Sequence, residues 1–295
     1  MKALITGSSG FLGRHFVDQL RQHGWSVARV DIADPNNPQD ARDLFRETGH
    51  SYDLVVHCAA VVNGRKTIEQ SPMDQVVDFE LDAGLFQWAA RNSIGKIVFF
   101  SSSAAYPVSL QAGEPYLLAE GDIDLTNPKL PDALYGWTKL TGEILAETSK
   151  RSGQDVLIVR PFSGYGTDQD DCYPFPAIMQ RALEHHDPFI VWGSGNQVRD
   201  FVHVDDIVRA VIEFVRFGLA GPVNIGTGRP TSMSTLATMA AAELGFNPMI
   251  TPMTHEPEGV MYRVCDVGLM NRFYVAEVCL EEGIARALRT MDSKQ

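Results

Sequence analysis

Short, nearly uninterrupted apolar runs alternate with amphipathic stretches along the first 160 residues of the chain. Lys2 to Thr6 reads as a strand, and Arg14 to His23 as a helix presenting Phe16, Val17 and Leu20 on one face; Trp25 to Val30 reads as a second strand that stops at Asp31. The alternation continues with a helix over 40–48, a strand over 53–60, a long helix over 72–92 opened by Pro72, a strand over 96–100, a helix over 133–151 and a strand over 156–160. Strands that are apolar on both faces need helices on both sides, so the pattern predicts a doubly wound parallel sheet with ligands at the carboxyl ends of its strands. Beyond residue 160 the rhythm loosens. Helices are expected over 175–185, 205–217 and 235–244 and a short strand over 222–225, among Gly, Asp and Pro clusters at 165–198. Residues 107–131 form a long loop holding four prolines, a length that usually marks function.

Composition narrows the partners. The formal net charge is −12, and no basic stripe is present to meet phosphates in series, which disfavours nucleic acid and anionic membranes. The four cysteines, Cys58, Cys172, Cys265 and Cys279, show no CxxC spacing, which points to a reducing compartment and to neither a disulfide framework nor a zinc site. No apolar run approaches the ~18 residues of a membrane span, and the opening strand leaves no charged-then-apolar leader. The expectation is a cytoplasmic protein without a metal centre.

The turn between the first strand and helix, Gly7-Ser-Ser-Gly10-Phe-Leu-Gly13, carries the first chemistry. Gly7 permits the tight turn, Gly10 lets backbone N–H groups approach a pyrophosphate, and Gly13 lets the helix pack close to the sheet. A helix N-terminus facing that turn favours an anion. Asp31, ending the second strand, suits a ribose 2′-hydroxyl and opposes a 2′-phosphate, arguing for NAD over NADP unless Arg29 intervenes. The context predicts a Rossmann-type dinucleotide-binding domain over 1–165, rejoined by roughly 199–226, and a smaller C-terminal substrate-binding lobe from 166–198 and 227–295. A second motif, Tyr135-Gly-Trp-Thr-Lys139, places a phenol and an ammonium four apart on one helix face, where the cation lowers the phenol pKa from about 10. The strand at 96–100 runs into Ser101-Ser102-Ser103, so serine, tyrosine and lysine can converge where a nicotinamide lies.

Together with His57-Cys-Ala-Ala60, SSSAAYP at 101–107, Arg160-Pro-Phe162 and the run from Val198 to Asp206, these motifs resemble the extended short-chain dehydrogenase/reductase family, in particular its nucleotide-sugar epimerases and dehydratases. The resemblance covers nearly the whole chain. It implies that Gly7, Gly10, Phe11, Leu12, Gly13, Asp31, Asp40, Ala41, Ala59, Ala60 and Pro161, with Tyr135 and Lys139, bind NAD, Asp40 and Ala41 touching the adenine. It further implies Tyr135 as acid or base on the sugar C4 hydroxyl, Lys139 on the nicotinamide ribose, and Ser102 as the catalytic serine with Ser103 as runner-up. Ser103, Ser163, Arg199 and Arg263 then contact the sugar nucleotide, the two arginines at its diphosphate, and the protein is a homodimer through the helices near 72–92 and 133–151.

Departures from the family pattern narrow the chemistry. The dehydratases' Asp-Glu pair is replaced by Ser103 and Ala104, and Ala104 also stands where GDP-mannose 3,5-epimerases and GDP-fucose synthases carry a cysteine. The remaining expectation is 4-epimerisation through a 4-keto intermediate, with 4-ketosugar reduction as the alternative and a non-catalytic dinucleotide-binding protein as the third reading. The family's helix asparagine is read as Glu80, which would place a carboxylate near the cofactor, and its diphosphate-contacting asparagine as Ser163. Asp168 to Asp171 reads as a solvated acidic loop rather than a cation site, and Cys58 as inert.

Overall fold

The computed structural model describes residues 1–61 and 64–293. Its main sheet contains β1 (Lys2–Thr6), β2 (Ser26–Val30), β3 (Ser51–His57), β4 (Ser93–Phe100), β5 (Asp155–Pro161) and β6 (Val223–Ile225), all parallel, in the order β6-β5-β4-β3-β1-β2. Successive side chains of these strands face opposite layers, so Ala3 and Ile5 lie in one core and Leu4 in the other. Helix α1 (Phe11–Gln22) and a later helix, α4 (Val204–Arg216), cover the first face with Phe16, Leu20, Val208 and Phe214. Helices α2 (Val76–Ala89) and α3 (Ala133–Arg151) cover the second with Leu85, Trp88 and Ala146. The chain leaves β1 towards β2 and returns on its other side as β3. That reversal opens a crevice at the carboxyl ends of β1 and β3.

A second group of elements sits beyond these strand ends. Strand Val198–His203 lies between Tyr262–Cys265, parallel to it, and the antiparallel Pro230–Ser232, and also pairs with Ser163–Tyr165. Helices Pro174–Leu183, Met233–Glu243 and Leu280–Asp292 pack around Phe175, Met179, Leu236, Ala240, Ile284 and Leu288. Among the described residues, no helix is long and apolar enough to cross a membrane.

Several element boundaries differ from expectation for identifiable reasons. The helix expected over 40–48 is confined to Ala41–Leu44, capped by the Asp40 carboxylate on the Arg42 N–H at 2.8 Å. Strand β3 ends at His57, so Ala59 and Ala60 belong to the turn that follows. Residues Pro72–Gln75 form a 3₁₀ turn, and regular helix begins only at Val76. The α3 boundaries are those expected, Ala133–Arg151.

Candidate active site

The glycine turn is built against the end of β3. A Cβ on Gly7, whose φ is +66°, would lie 2.6 Å from the Ala59 nitrogen, and one on Gly13 would lie 2.0 Å from the Gly7 carbonyl oxygen. Neither position has room for a side chain. Asp31 accepts from the backbone N–H of Ser9 at 2.8 Å and of Ala33 at 2.7 Å, tying the turn to the end of β2. Arg29 is ion-paired with Asp34 and therefore held away from a 2′-phosphate. The Ser8 and Ser9 hydroxyls are buried beside the N-terminus of α1 without a protein partner. A dinucleotide fits these observations: the turn is clear of side chains, two hydroxyls and the α1 N-terminus await oxygen ligands, and Asp31 borders the ribose position. Phe11 and Leu12 open α1, Phe11 packing against Gly166, while Asp40 is engaged by Arg42 and Ala41 lies in the core. Pro161 closes β5.

The serine turn and the start of α3 are locked together. The Ala104 carbonyl accepts from the Asp132 N–H at 2.9 Å, and a Cβ on Gly136 would lie 2.4 Å from that same oxygen. Tyr135 is thereby brought beside the Ser102 to Ala105 turn. The three serines separate by environment. Ser101 donates to Glu143 at 2.5 Å, Ser103 is buried, and Ser102 is half-exposed, its oxygen accepting from the Ala104 N–H at 3.1 Å and its hydroxyl proton left as a donor. Tyr135, Lys139 and Glu143 follow at four-residue intervals along α3, and the Lys139 ammonium sits 5.7 Å from the Tyr135 ring centre. Glu143 ends this row in a buried bidentate pair with Arg160, at 2.8 and 2.7 Å. Arg160 also donates to the Tyr106 hydroxyl at 3.1 Å and to the Glu120 carbonyl at 2.9 Å. Tyr106 donates on to Asn224 at 2.7 Å.

Beneath Lys139 lie two buried carboxylates, Asp78 and Asp82. Burial opposes the charge of Lys139, yet Asp82, Tyr135 and Asp78 more than offset it and hold the ammonium above its usual pKa. Burial likewise pushes Asp78 upward, Lys139 offsetting part of the effect; one Asp78 oxygen accepts from the Val61 N–H at 2.6 Å. Asp82 lies 3.3 Å from His57, whose other ring nitrogen meets Thr6 at 2.8 Å. Glu80 is elsewhere. Its side chain is exposed and paired with Arg42 at 3.1 Å, displaced outward in the way a carboxylate at this position invites. Asp78 and Asp82, two residues before and two after it, are the carboxylates that face inward. Burial raises the Cys58 thiol to about 12, despite the charge of Lys139, so it stays protonated.

Around Asp132, at the start of α3, arginines collect. Arg199 and Arg263 are direct cross-strand partners, and Arg263 bonds Gln111 at 2.5 Å and Asp132 at 2.7 Å. Arg199 is not a surface residue paired with Asp200. It donates to the carbonyls of Val198 and Val260, each at 2.8 Å, while buried Asp200 binds Thr227, Gly228 and Cys265. Burial, then the charge of Arg263, disfavours the ionised form of Arg199, as expected for a guanidinium with no carboxylate bonded to it. Arg65, which the sequence reading did not single out, reaches Asp132 at 2.7 and 2.9 Å. Asp132, three residues before Tyr135, joins Arg65 and Arg263 to the start of α3. Ser163 is half-buried in register with Phe201, on the same strand as Arg199. Asp168 is no solvated loop residue: Arg14 at 2.5 Å and His15 at 3.1 Å overcome its burial and hold its carboxyl well below the usual range. Glu143 extended the Tyr-Lys row by one turn, a periodicity legible in the sequence; Asp132 and Arg65 carried no comparable signal.

Residues 3–226 match the NAD dependent epimerase/dehydratase family. Over 98% of its length the chain is 29% identical to a Methanocaldococcus jannaschii protein named "Putative UDP-glucose 4-epimerase", covering 97% of that relative. It is 30% identical to the dTDP-4-dehydro-6-deoxy-D-allose reductase of a Streptomyces species, across 91% of this chain and 89% of the relative. Among solved structures, the UDP-glucuronic acid 4-epimerase of Bacillus cereus, in complex with UDP-glucuronic acid and NAD, superposes with a TM-score of 0.84 at 21% identity, each chain fully covered. The Thermus thermophilus UDP-glucose 4-epimerase in complex with NAD does so at 0.80 and 23%, with 99% of each chain covered. At these identities the structures share the fold.

Proposed function

Because the chain belongs to the NAD-dependent epimerase/dehydratase family, we propose that it is an epimerase of a nucleoside-diphosphate sugar, acting at C4 through a 4-keto intermediate. The observation that carries this reading is Tyr135 beside Lys139 on α3 and against the Ser102 turn, with Arg263, the cross-strand partner of Arg199, bonded to Asp132 at the start of the same helix. Tyr135 takes the proton of the C4 hydroxyl, Ser102 donates a hydrogen bond to the same oxygen, and Lys139 stands beside Tyr135 on the same face of α3. NAD, when bound, supplies the redox chemistry, taking up the C4 hydrogen and giving it back. Arg199 and Arg263 anchor the diphosphate, for which planar guanidinium groups are suited. Ser103 and Ala104 offer no acid and base for water elimination, which favours epimerisation over dehydration. The Arg29–Asp34 pair and the Asp31 carboxylate, fixed at the end of β2 by the Ser9 and Ala33 N–H groups, favour NAD over NADPH.

The second reading, an NAD(P)H-dependent 4-ketoreductase, is favoured by the reductase relative at 30% identity and uses the same Ser102, Tyr135 and Lys139. One experiment separates the two. Purified protein, denatured to identify retained cofactor, is compared with protein incubated with UDP-, GDP- and dTDP-sugars and no added cofactor. Bound NAD and redox-neutral isomerisation, abolished in Tyr135→Phe while NAD is retained, is the expected result. Turnover of a ketosugar only with supplied NAD(P)H would establish the reductase instead, and full activity in Tyr135→Phe would overturn both readings. We also read the protein as a cytoplasmic homodimer formed through α2 and α3, whose outer faces leave Val76 and Ile144 exposed.

A further inference from the structure

Three guanidinium groups converge about Asp132 and Gly259, and only two of them belong to the diphosphate site argued above. Arg65 opens the short helix Arg65–Gln70, which follows β3, and so approaches from the dinucleotide-binding side. Arg199 and Arg263 approach from the paired strands Val198–His203 and Tyr262–Cys265. The meeting point is Gly259: a Cβ there would lie 3.4 Å from Arg199 Nη2 and 3.4 Å from Arg65 Cζ and Nη1. Its φ of +73° and its lack of a side chain keep the space between the two arginines clear.

Charge in this group is unbalanced. Asp132 is the one buried carboxylate bonded to it, shared between Arg65 and Arg263, and those two arginines hold its carboxyl below the usual range against the effect of burial. Glu69 meets Arg65 from the rim, at 2.6 Å, with its side chain 40% exposed. Arg199 is bonded to carbonyls and to no carboxylate among the described residues, the nearby Glu258 carboxylate being bonded to Ser194, and a diphosphate diester, bearing two negative charges, would supply the missing counter-charge.

We infer that Arg65 is a third arginine of the diphosphate cradle, supplied from across the cleft, and that it makes the site discriminate a nucleoside diphosphate from the corresponding monophosphate. This rests on the nucleotide-sugar reading and deepens it. Asp132 holds the Arg65 fork in place before the anion arrives. Asp132 occupies the N-cap position of α3, three residues before Tyr135, with its carboxylate turned to the arginines instead of to the helix N–H groups.

The test uses NAD-loaded protein and isothermal titration with UDP and UMP, GDP and GMP, and dTDP and dTMP. The wild type is expected to bind one diphosphate well over tenfold more tightly than its monophosphate. Arg65→Gln is expected to weaken that diphosphate by about ten- to a hundredfold while changing the monophosphate little, the scale of a lost charge-assisted hydrogen bond. Equal weakening of both ligands, or a fall in kcat with KM unchanged, would reduce Arg65 to a support for Asp132 and overturn the inference. Arg65→Lys keeps the charge but not the fork and decides the matter if Arg65→Gln fails to fold. A smaller loss in the same ratio is expected there, and an unchanged ratio overturns the proposal. A wild type that prefers no diphosphate in any pair would overturn the nucleotide-sugar reading itself.

Discussion

Arg160→Met tests the buried ion pair behind the catalytic helix. The Arg160 and Glu143 side chains are each 1% exposed and joined by two hydrogen bonds of 2.8 and 2.7 Å. Removing the guanidinium leaves the Glu143 carboxylate in the interior with Ser101 as its remaining donor. It also strips a donor from the Tyr106 hydroxyl and the Glu120 carbonyl. Breaking such a pair costs about 3–5 kcal/mol, because the survivor keeps its desolvation penalty without its counter-charge. For a chain of this size that lowers Tm by on the order of 10 °C. Thermal unfolding followed by circular dichroism, with urea denaturation to give the free energy, measures the loss. Replacing both partners, as in the double variant Arg160→Met with Glu143→Leu, is expected to recover most of it, since no lone charge remains. A single-variant loss below about 1 kcal/mol, or a double variant no more stable than the single, would refute the reasoning.

Asp78 offers a test of opposite sign. Burial raises its pKa above the unfolded value near 3.8, so its contribution is fully present below that value and is lost as pH rises through the folded-state value. Asp78→Asn keeps an acceptor for the Val61 N–H and is expected to melt above the wild type at pH 7.5, the gap narrowing towards pH 4. A gap independent of pH, or a lower melting temperature, would show that the carboxylate is better compensated than its surroundings indicate. For the proposed dimer, light scattering at micromolar concentration is expected to give twice the chain mass, and a monomer throughout would refute it.

The parallel sheet was legible because its strands must be apolar on both faces, and runs such as Lys96 to Phe100 or Val156 to Arg160 have no other economical reading. Helix α3 was equally plain, and the Tyr-Lys spacing on it survived unchanged. The second lobe was less so, since strands of three to six residues that pair across long crossovers, such as Ser163–Tyr165 with Val198–His203, leave little periodicity to detect. One omission was avoidable: Leu280, Ile284, Ala287 and Leu288 fall on a single helical face, and the helix over 280–292 buries all four. Glu80 and Asp78 show the cost of assigning a position by motif alone. Asp78, Leu81, Asp82 and Leu85 share the inward face of α2, whereas Glu80 turns out to Arg42. Arg65 could not be found in one dimension. Its meaning comes from being folded against residues 132 and 259.

The polar network behind the serine turn has a consequence for how such a protein changes its diet. Ser101, Tyr106, Glu120, Glu143, Arg160 and Asn224 all lie outside 166–198 and 227–295, the segments assigned to the second lobe. The network is thus drawn from the part of the chain that builds the main sheet. An exchange of 227–295 would still reach that part, because Met270 sits in its core and Tyr274 bonds Asp206 of α4.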